Sequence, residues 1–217
     1  MAPQSTSSDC LQCGPDQAHD RLVLLHGWGA DADDLLDLAA ELVPATVSVV
    51  ALRAPEPHPA GIGRQWYPLL WRDLLPEPAW EQVPAARQAL AQRLRALAAT
   101  VPLERTVVLG FSQGAAMAVD VATGVSEDPL PFAAVIGCSG YPHRGWQPRP
   151  EAPPVLLTHG TDDPVVPLQH GQALLQALQA AGVRASCQPF AGGHGIDPGL
   201  FPLMRRFLAD AWEPPVH

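Results

Sequence analysis

Three residue types that together make a serine nucleophilic occur here at strand ends, in one order along the chain. The first is Ser112, inside Gly110-Phe111-Ser112-Gln113-Gly114. This Gly-x-Ser-x-Gly pentapeptide follows the apolar run Thr106–Leu109 and precedes the small-residue run Ala115–Val119. That context predicts strand, sharp turn and helix, with the hydroxyl at the tip of a bend too tight for flanking Cβ atoms. A serine hydroxyl is a weak nucleophile at neutral pH; it needs a base in reach and a carboxylate to orient that base. Both residue types follow. Asp162 and Asp163 stand in the proline-bounded segment His159–Pro167 after the apolar run Val155–Thr158, and His194 sits among glycines in Ala191–Gly195 after Val183–Phe190.

Each of these residues has an ordinary alternative. A glycine-rich turn can carry any serine, either aspartate can form a turn, and His194 is one of eight histidines. Their order and their placement after successive strands join them. The residues alone do not choose between Asp162 and Asp163. A fourth feature is His26-Gly27-Trp28-Gly29, directly after the apolar strand Arg21–Leu25. Acyl transfer creates an oxyanion that needs preorganised N–H donors, one from the residue after the nucleophile and one from an early strand–helix loop. The backbone N–H groups of Gln113 and Trp28 fit those places. His26 precedes the glycines and reads as a brace for the loop rather than as a base.

The elements that must position these residues alternate along the chain. Strands are expected at Arg21–Leu25, Val47–Leu52, Thr106–Leu109, Phe132–Ile136, Val155–Thr158 and Val183–Phe190. Helices are expected at Asp33–Leu42, Pro84–Ala99, Leu168–Ala181 and Leu200–Trp212. Such alternation predicts an α/β domain with a mainly parallel sheet and helices on both faces. Residues 1–19 read as a polar, mobile tail and 20–217 as one domain. Within it, 54–84 carries prolines at 55, 57, 59, 68, 76, 78 and 84 and the aromatics Trp66, Tyr67, Trp71 and Trp80. Little regular structure is expected there; the segment suits a pocket wall or a lid.

Composition removes several function classes. Of the 217 residues, 13 are basic and 22 acidic, a net charge of −9. Every basic residue is arginine, which excludes a Schiff-base lysine, a PLP lysine and a P-loop lysine. No basic run offers a nucleic acid or an anionic membrane a landing site. No stretch is long and apolar enough to span a bilayer, and Met1–Ser8 lacks the pattern of a secretory leader, so a cytoplasmic location is expected. Cys10-Leu-Gln-Cys13 has the spacing of a redox or metal pair but no second ligand pair and no βαβ unit behind it. Cys138 and Cys187 fall in expected strands and read as small buried hydrophobes.

Taken in order, Leu25-His26-Gly27-Trp28-Gly29-Ala30-Asp31, Gly63-Arg64-Gln65-Trp66-Tyr67, Gly110–Ala115, His159-Gly160-x-x-Asp163-x-Val165-Val166-Pro167 and Gly193-His194 resemble the phospholipase/carboxylesterase family of α/β-hydrolases. That family includes acyl-protein thioesterases and bacterial carboxylesterases, and the resemblance covers about residues 20–212. It implies the α/β-hydrolase fold, the triad Ser112, Asp163 and His194, oxyanion donors at Trp28 and Gln113, and no metal or organic cofactor. It also implies hydrolysis of acyl esters, thioesters or lysophospholipids, and a homodimer, as in many members. Trp28 stands where a smaller aliphatic residue is common, which reshapes the acyl pocket.

The expected activity is therefore a serine carboxylesterase acting on a small acyl ester of short to medium chain through an acyl-enzyme. Activity should rise with pH through roughly 6–7.5, as a base imidazole must be neutral. Trp28, Ile62, Trp66, Leu69, Leu70, Trp71 and Val166 are the candidate pocket walls. Lysophospholipase or acyl-protein thioesterase is the enzymatic alternative. A hydrolase-fold ligand-binding protein is the non-enzymatic one, and the complete constellation argues against it.

Overall fold

The computed structural model describes residues 5–6, 9–72 and 75–213. Its frame is an eight-stranded sheet. In chain order the strands are β1 (Ser5–Thr6), β2 (Cys10–Cys13), β3 (Arg21–Leu25), β4 (Ser48–Leu52), β9 (Thr106–Phe111), β10 (Ala134–Cys138), β11 (Val155–Gly160) and β12 (Ala185–Phe190). The spatial order is β1-β2-β4-β3-β9-β10-β11-β12. From β4 to β12 in that order the pairing is parallel; β2 runs antiparallel to β4, and β1 to β2. The central strands are apolar on both faces because helices cover both. Leu22 and Leu24 of β3 enter one core; Val23 and Leu25 enter the other.

Helices α1 (Leu36–Leu42) and α5 (Phe201–Trp212) cover the first face through Leu36, Ala39, Leu42, Met204 and Leu208. Helices α2 (Val83–Ala96), α3 (Gln113–Thr123) and α4 (Leu168–Ala180) cover the second through Leu90, Leu94, Met117, Leu174 and Leu178. Helix α3 is buried along its whole length, which its glycine and alanines permit by letting it lie close against the sheet. The site loops all follow the C-terminal ends of β3, β9, β10, β11 and β12, where open parallel sheets hold their ligands.

Three expectations need correction. The segment expected as a tail contributes β2, whose ladder pairs Cys10–Cys13 with Val49–Leu52; residues 1–4 and 7–8 lie outside the described residues. Three positions apart on a strand, Cys10 and Cys13 face opposite sides of the sheet and pack with different cores, so they do not form a redox pair. The proline-rich excursion is also more regular than expected. It forms two small antiparallel hairpins, β5 (Glu56–Pro57) with β6 (Arg64–Gln65) and β7 (Leu69–Arg72) with β8 (Leu75–Pro78). Short edge strands tolerate proline because one side of each needs no N–H. Finally, α1 begins at Leu36 rather than at Asp33, since the preceding acids are used in turns: Asp31 Oδ1 accepts from Ala32 N at 2.7 Å and from Arg53 Nε at 2.7 Å.

Candidate active site

Strand β9 ends and α3 begins within two residues, and Ser112 absorbs the reversal. Its backbone lies at φ 54° and ψ −118°, a strained conformation for a side-chain-bearing residue. The flanking glycines make room. A Cβ at Gly110 would strike the Gly114 backbone, and one at Gly114 would strike the carbonyls of Leu25 and His26. Ser112 N donates to Cys138 O at 2.8 Å, tying the turn to the neighbouring strand.

The loops after β11 and β12 bring two further side chains to this turn. His194 Nδ1 donates to Asp163 Oδ2 at 2.7 Å, and His194 Nε2 lies 2.9 Å from Ser112 Oγ. Because the carboxylate only accepts, the Nδ1 proton is fixed and Nε2 is free to accept from the serine hydroxyl. The Asp163 side chain is fully buried, whereas that of His194 keeps 16% of its surface. Asp163 Oδ1 accepts from the backbone N–H groups of Val165 at 2.9 Å and Val166 at 2.8 Å. Burial pushes this carboxyl up, but the hydrogen bonds from His194, Val166 and Val165 outweigh it and hold it below the usual carboxylate range. Asp162 is exposed and accepts the Thr161 hydroxyl at 2.8 Å, away from this row.

A residue the sequence reading passed over stands behind Asp163. His159 is buried; its Nε2 donates to Val166 O at 2.7 Å and lies 3.6 Å from Asp163 Oδ2. It therefore pins the loop whose amides hold the carboxylate. Helix α4 leaves space for the ring at Gly171, where a Cβ would lie 2.5 Å from His159 Nδ1. The signal was present in His159-Gly160, at the very end of the strand that delivers Asp163.

The early loop is braced as expected. His26 Nδ1 donates to Gly27 O at 2.7 Å, and Nε2 accepts from Ala54 N at 3.1 Å. Burial holds this imidazole below its ordinary range, consistent with an accepting Nε2. Gly29 N and Ala30 N are taken by Arg64 O and Gly27 O. Trp28, immediately before Gly29, lines the same cavity as Ser112. Gln113 is the first residue of α3, so its N–H has no partner within the helix. Its side chain is clamped to the excursion, with Oε1 accepting from Trp66 N at 2.9 Å and Nε2 donating to Tyr67 O at 2.8 Å.

A cavity of about 510 Å³ opens over Ser112 and His194. Of the expected walls, Trp28, Leu69 and Val166 line it. Trp66 does not: it is buried beneath the early loop, donating from Nε1 to His26 O at 2.9 Å. Ile62 is 80% exposed at a turn between two positive-φ glycines. Leu70 points away from the cavity because side chains alternate along β7 and Leu69 takes the inward place. The Trp71 side chain lies outside the described part of the structure. Trp80 of the excursion also lines it, and the lining residues not anticipated include Phe111, Tyr141 and Pro142. Tyr141 and Pro142 follow a buried parallel strand directly, the one sequence signal that could have found them. Cys138, next to this loop, has its thiol pushed up to about 11 by burial and is no competing nucleophile.

Among known proteins, residues 8–211 match the phospholipase/carboxylesterase family. The esterase YpfH of Escherichia coli (strain K12) is 28% identical over 190 residues, spanning 84% of this chain and 79% of that protein. Acyl-protein thioesterase 1 homolog 1 of Dictyostelium discoideum is 30% identical over 114 residues, half of each chain. Among solved structures, esterase PE8 superposes with a TM-score of 0.79 at 30% identity, over 92% of this chain and 97% of that one. Among the described residues, no helix is long and apolar enough to cross a membrane. The chain belongs to the phospholipase/carboxylesterase family of α/β-hydrolases and is a serine hydrolase of esterase or thioesterase type.

Proposed function

We propose that this chain is a carboxylesterase that hydrolyses acyl esters of short to medium chain through an acyl-enzyme on Ser112. The observation that carries this reading is the hydrogen-bonded row from Ser112 through His194 to Asp163, opening on a largely apolar cavity. His194 Nε2 takes the Ser112 proton as Oγ attacks the ester carbonyl. Asp163 holds the ring in the tautomer that leaves Nε2 accepting, and stabilises the imidazolium that forms. The backbone N–H groups of Trp28 and Gln113 receive the oxyanion. Collapse of the tetrahedral intermediate breaks the ester C–O bond, and His194 returns the proton to the leaving alcohol. Water then attacks the acyl-enzyme with His194 as base, releasing the acid and restoring the serine hydroxyl.

The size of the cavity supports the chain-length reading: about 510 Å³ lies within the range of small-molecule sites. The test is a panel of nitrophenyl esters from C2 to C16, run beside a lysophospholipid and an acyl thioester. The expected result is highest kcat/KM on C2 to C8 esters. Preference for the thioester or the lysophospholipid assigns the activity to those substrates instead.

A further inference from the structure

Behind the aromatic wall of the cavity lies a second polar row that the hydrolytic steps do not use. Asp120, buried on α3, accepts from His143 Nδ1 at Oδ2 (2.7 Å) and from Arg87 Nη1 at Oδ1 (3.2 Å). On its other side, His143 Nε2 lies 2.9 Å from the Tyr67 hydroxyl, which lies 2.6 Å from the Tyr141 hydroxyl. The carboxylate only accepts, so Nδ1 carries a proton, and Nε2 pairs with the Tyr67 hydroxyl. Burial pushes the Tyr67 phenol well above its ordinary range, so it stays protonated and able to donate. The two phenols share a further hydrogen bond.

Three aromatic rings stand edge-on around the same imidazole. Tyr67, Tyr141 and Trp80 lie 5.3, 6.0 and 6.3 Å from it, at interplanar angles of 76°, 71° and 73°. Two of them, Tyr141 and Trp80, line the cavity above Ser112; His143, Tyr67 and Asp120 do not. The rings come from separate stretches of chain: Tyr141 follows β10, while Tyr67 and Trp80 belong to the excursion. Apolar packing would also fill this space, at lower desolvation cost. A hydrogen-bonded chain adds a preferred arrangement for the rings it joins, Tyr67, His143 and Tyr141, against which Trp80 packs edge-on; packing by shape alone does not impose it.

We infer that His143, held by Asp120, is a positioning residue that fixes Tyr141 and Trp80 as a wall of the cavity and so selects among acyl esters by chain length. This rests on the esterase reading above. A C2 acyl group fills little of the cavity, whereas a C8 chain has more length to set against its walls.

The experiment compares wild type, His143→Leu and Tyr67→Phe on nitrophenyl acetate and octanoate. In both variants kcat/KM for acetate stays within about threefold of wild type, while KM for octanoate rises about tenfold with kcat held, the signature of lost uniform binding. Tyr67→Phe removes one oxygen and keeps the ring, so it reads the same ratio should His143→Leu fail to fold. A parallel fall on both esters, or an unchanged octanoate-to-acetate ratio, overturns the assignment. Acetate turnover by wild type that vanishes in Ser112→Ala checks the underlying esterase reading separately. With that turnover present, a failed ratio overturns the wall alone; without it, both readings fall.

Discussion

The molecule contains two rows of the same composition, carboxylate to imidazole to hydroxyl, and they differ in where they end. Asp163–His194 and Asp120–His143 each have an Nδ1–Oδ2 distance of 2.7 Å, and each Nε2 meets a hydroxyl at 2.9 Å. The first row ends on a serine at a strained turn, with its imidazole partly exposed to the cavity. The second ends on a buried tyrosine, and its imidazole keeps only 1% of its side-chain surface. Chemistry therefore does not follow from the pairing itself. It needs a nucleophile that substrate can reach, and of the two rows only the first ends on a hydroxyl residue that lines the cavity. The second row converts the same hydrogen bonds into fixed ring positions.

The sharpest way to break this comparison is to cut each row and read rate and stability together. Ser112→Ala should lower kcat on a short nitrophenyl ester by about 10⁶ and leave Tm nearly unchanged. Asp163→Asn should lower kcat by about 10⁴, because an amide favours the wrong imidazole tautomer. His159→Leu should lower kcat by roughly ten- to a hundredfold at constant KM, as the loop that holds Asp163 loosens; His159→Gln, which keeps a donor for Val166 O, should recover part of the loss. Cutting the second row reverses the pattern. His143→Leu should cost about 1–3 kcal/mol of stability by leaving Asp120 and Tyr67 short of a partner, a fall in Tm of roughly 3–10 °C, with acetate turnover little changed.

The smallest expected effect is on pH dependence. The His26 imidazole is held low by burial in the folded chain, so on acidification the unfolded chain takes up that proton first. Its contribution to stability is complete above about pH 6.5 and declines as pH falls from there toward the folded value. Thermal melts from pH 7 to 5 should show this decline in wild type and a flatter curve in His26→Gln. The Asp163 carboxyl, also held low, adds a loss that begins only as pH falls below the usual carboxylate range.

The two rows also differ in how visible they are in the sequence. Ser112 sits between glycines directly after an apolar strand, and His194 among glycines shortly after β12, so backbone chemistry marks them. Choosing Asp163 over Asp162 needed the family pattern, since both can form turns and only folding shows which one meets His194. The strands were legible because central parallel strands carry continuous apolar runs, as Leu22–Leu25 of β3 and Val155–Leu157 of β11 do. Strand β2 was not, because a strand written Cys-Leu-Gln-Cys within a polar segment carries no such run. The second row was invisible for a related reason. Asp120 lies in a helix of alanines, Tyr67 in the proline-rich excursion and His143 after β10, and no spacing rule joins positions that meet only through tertiary packing. The same gap explains Ile62 and Leu70: apolar type nominated them as walls, while turn geometry and strand alternation turned them outward.

Labelling with a fluorophosphonate, followed by peptide mapping, tests the assignment of the first row most directly. One equivalent of label on Ser112 in wild type, abolished in Ser112→Ala and strongly slowed in His194→Ala, is the expected result. Label on another residue, or undiminished labelling of Ser112→Ala, contradicts it.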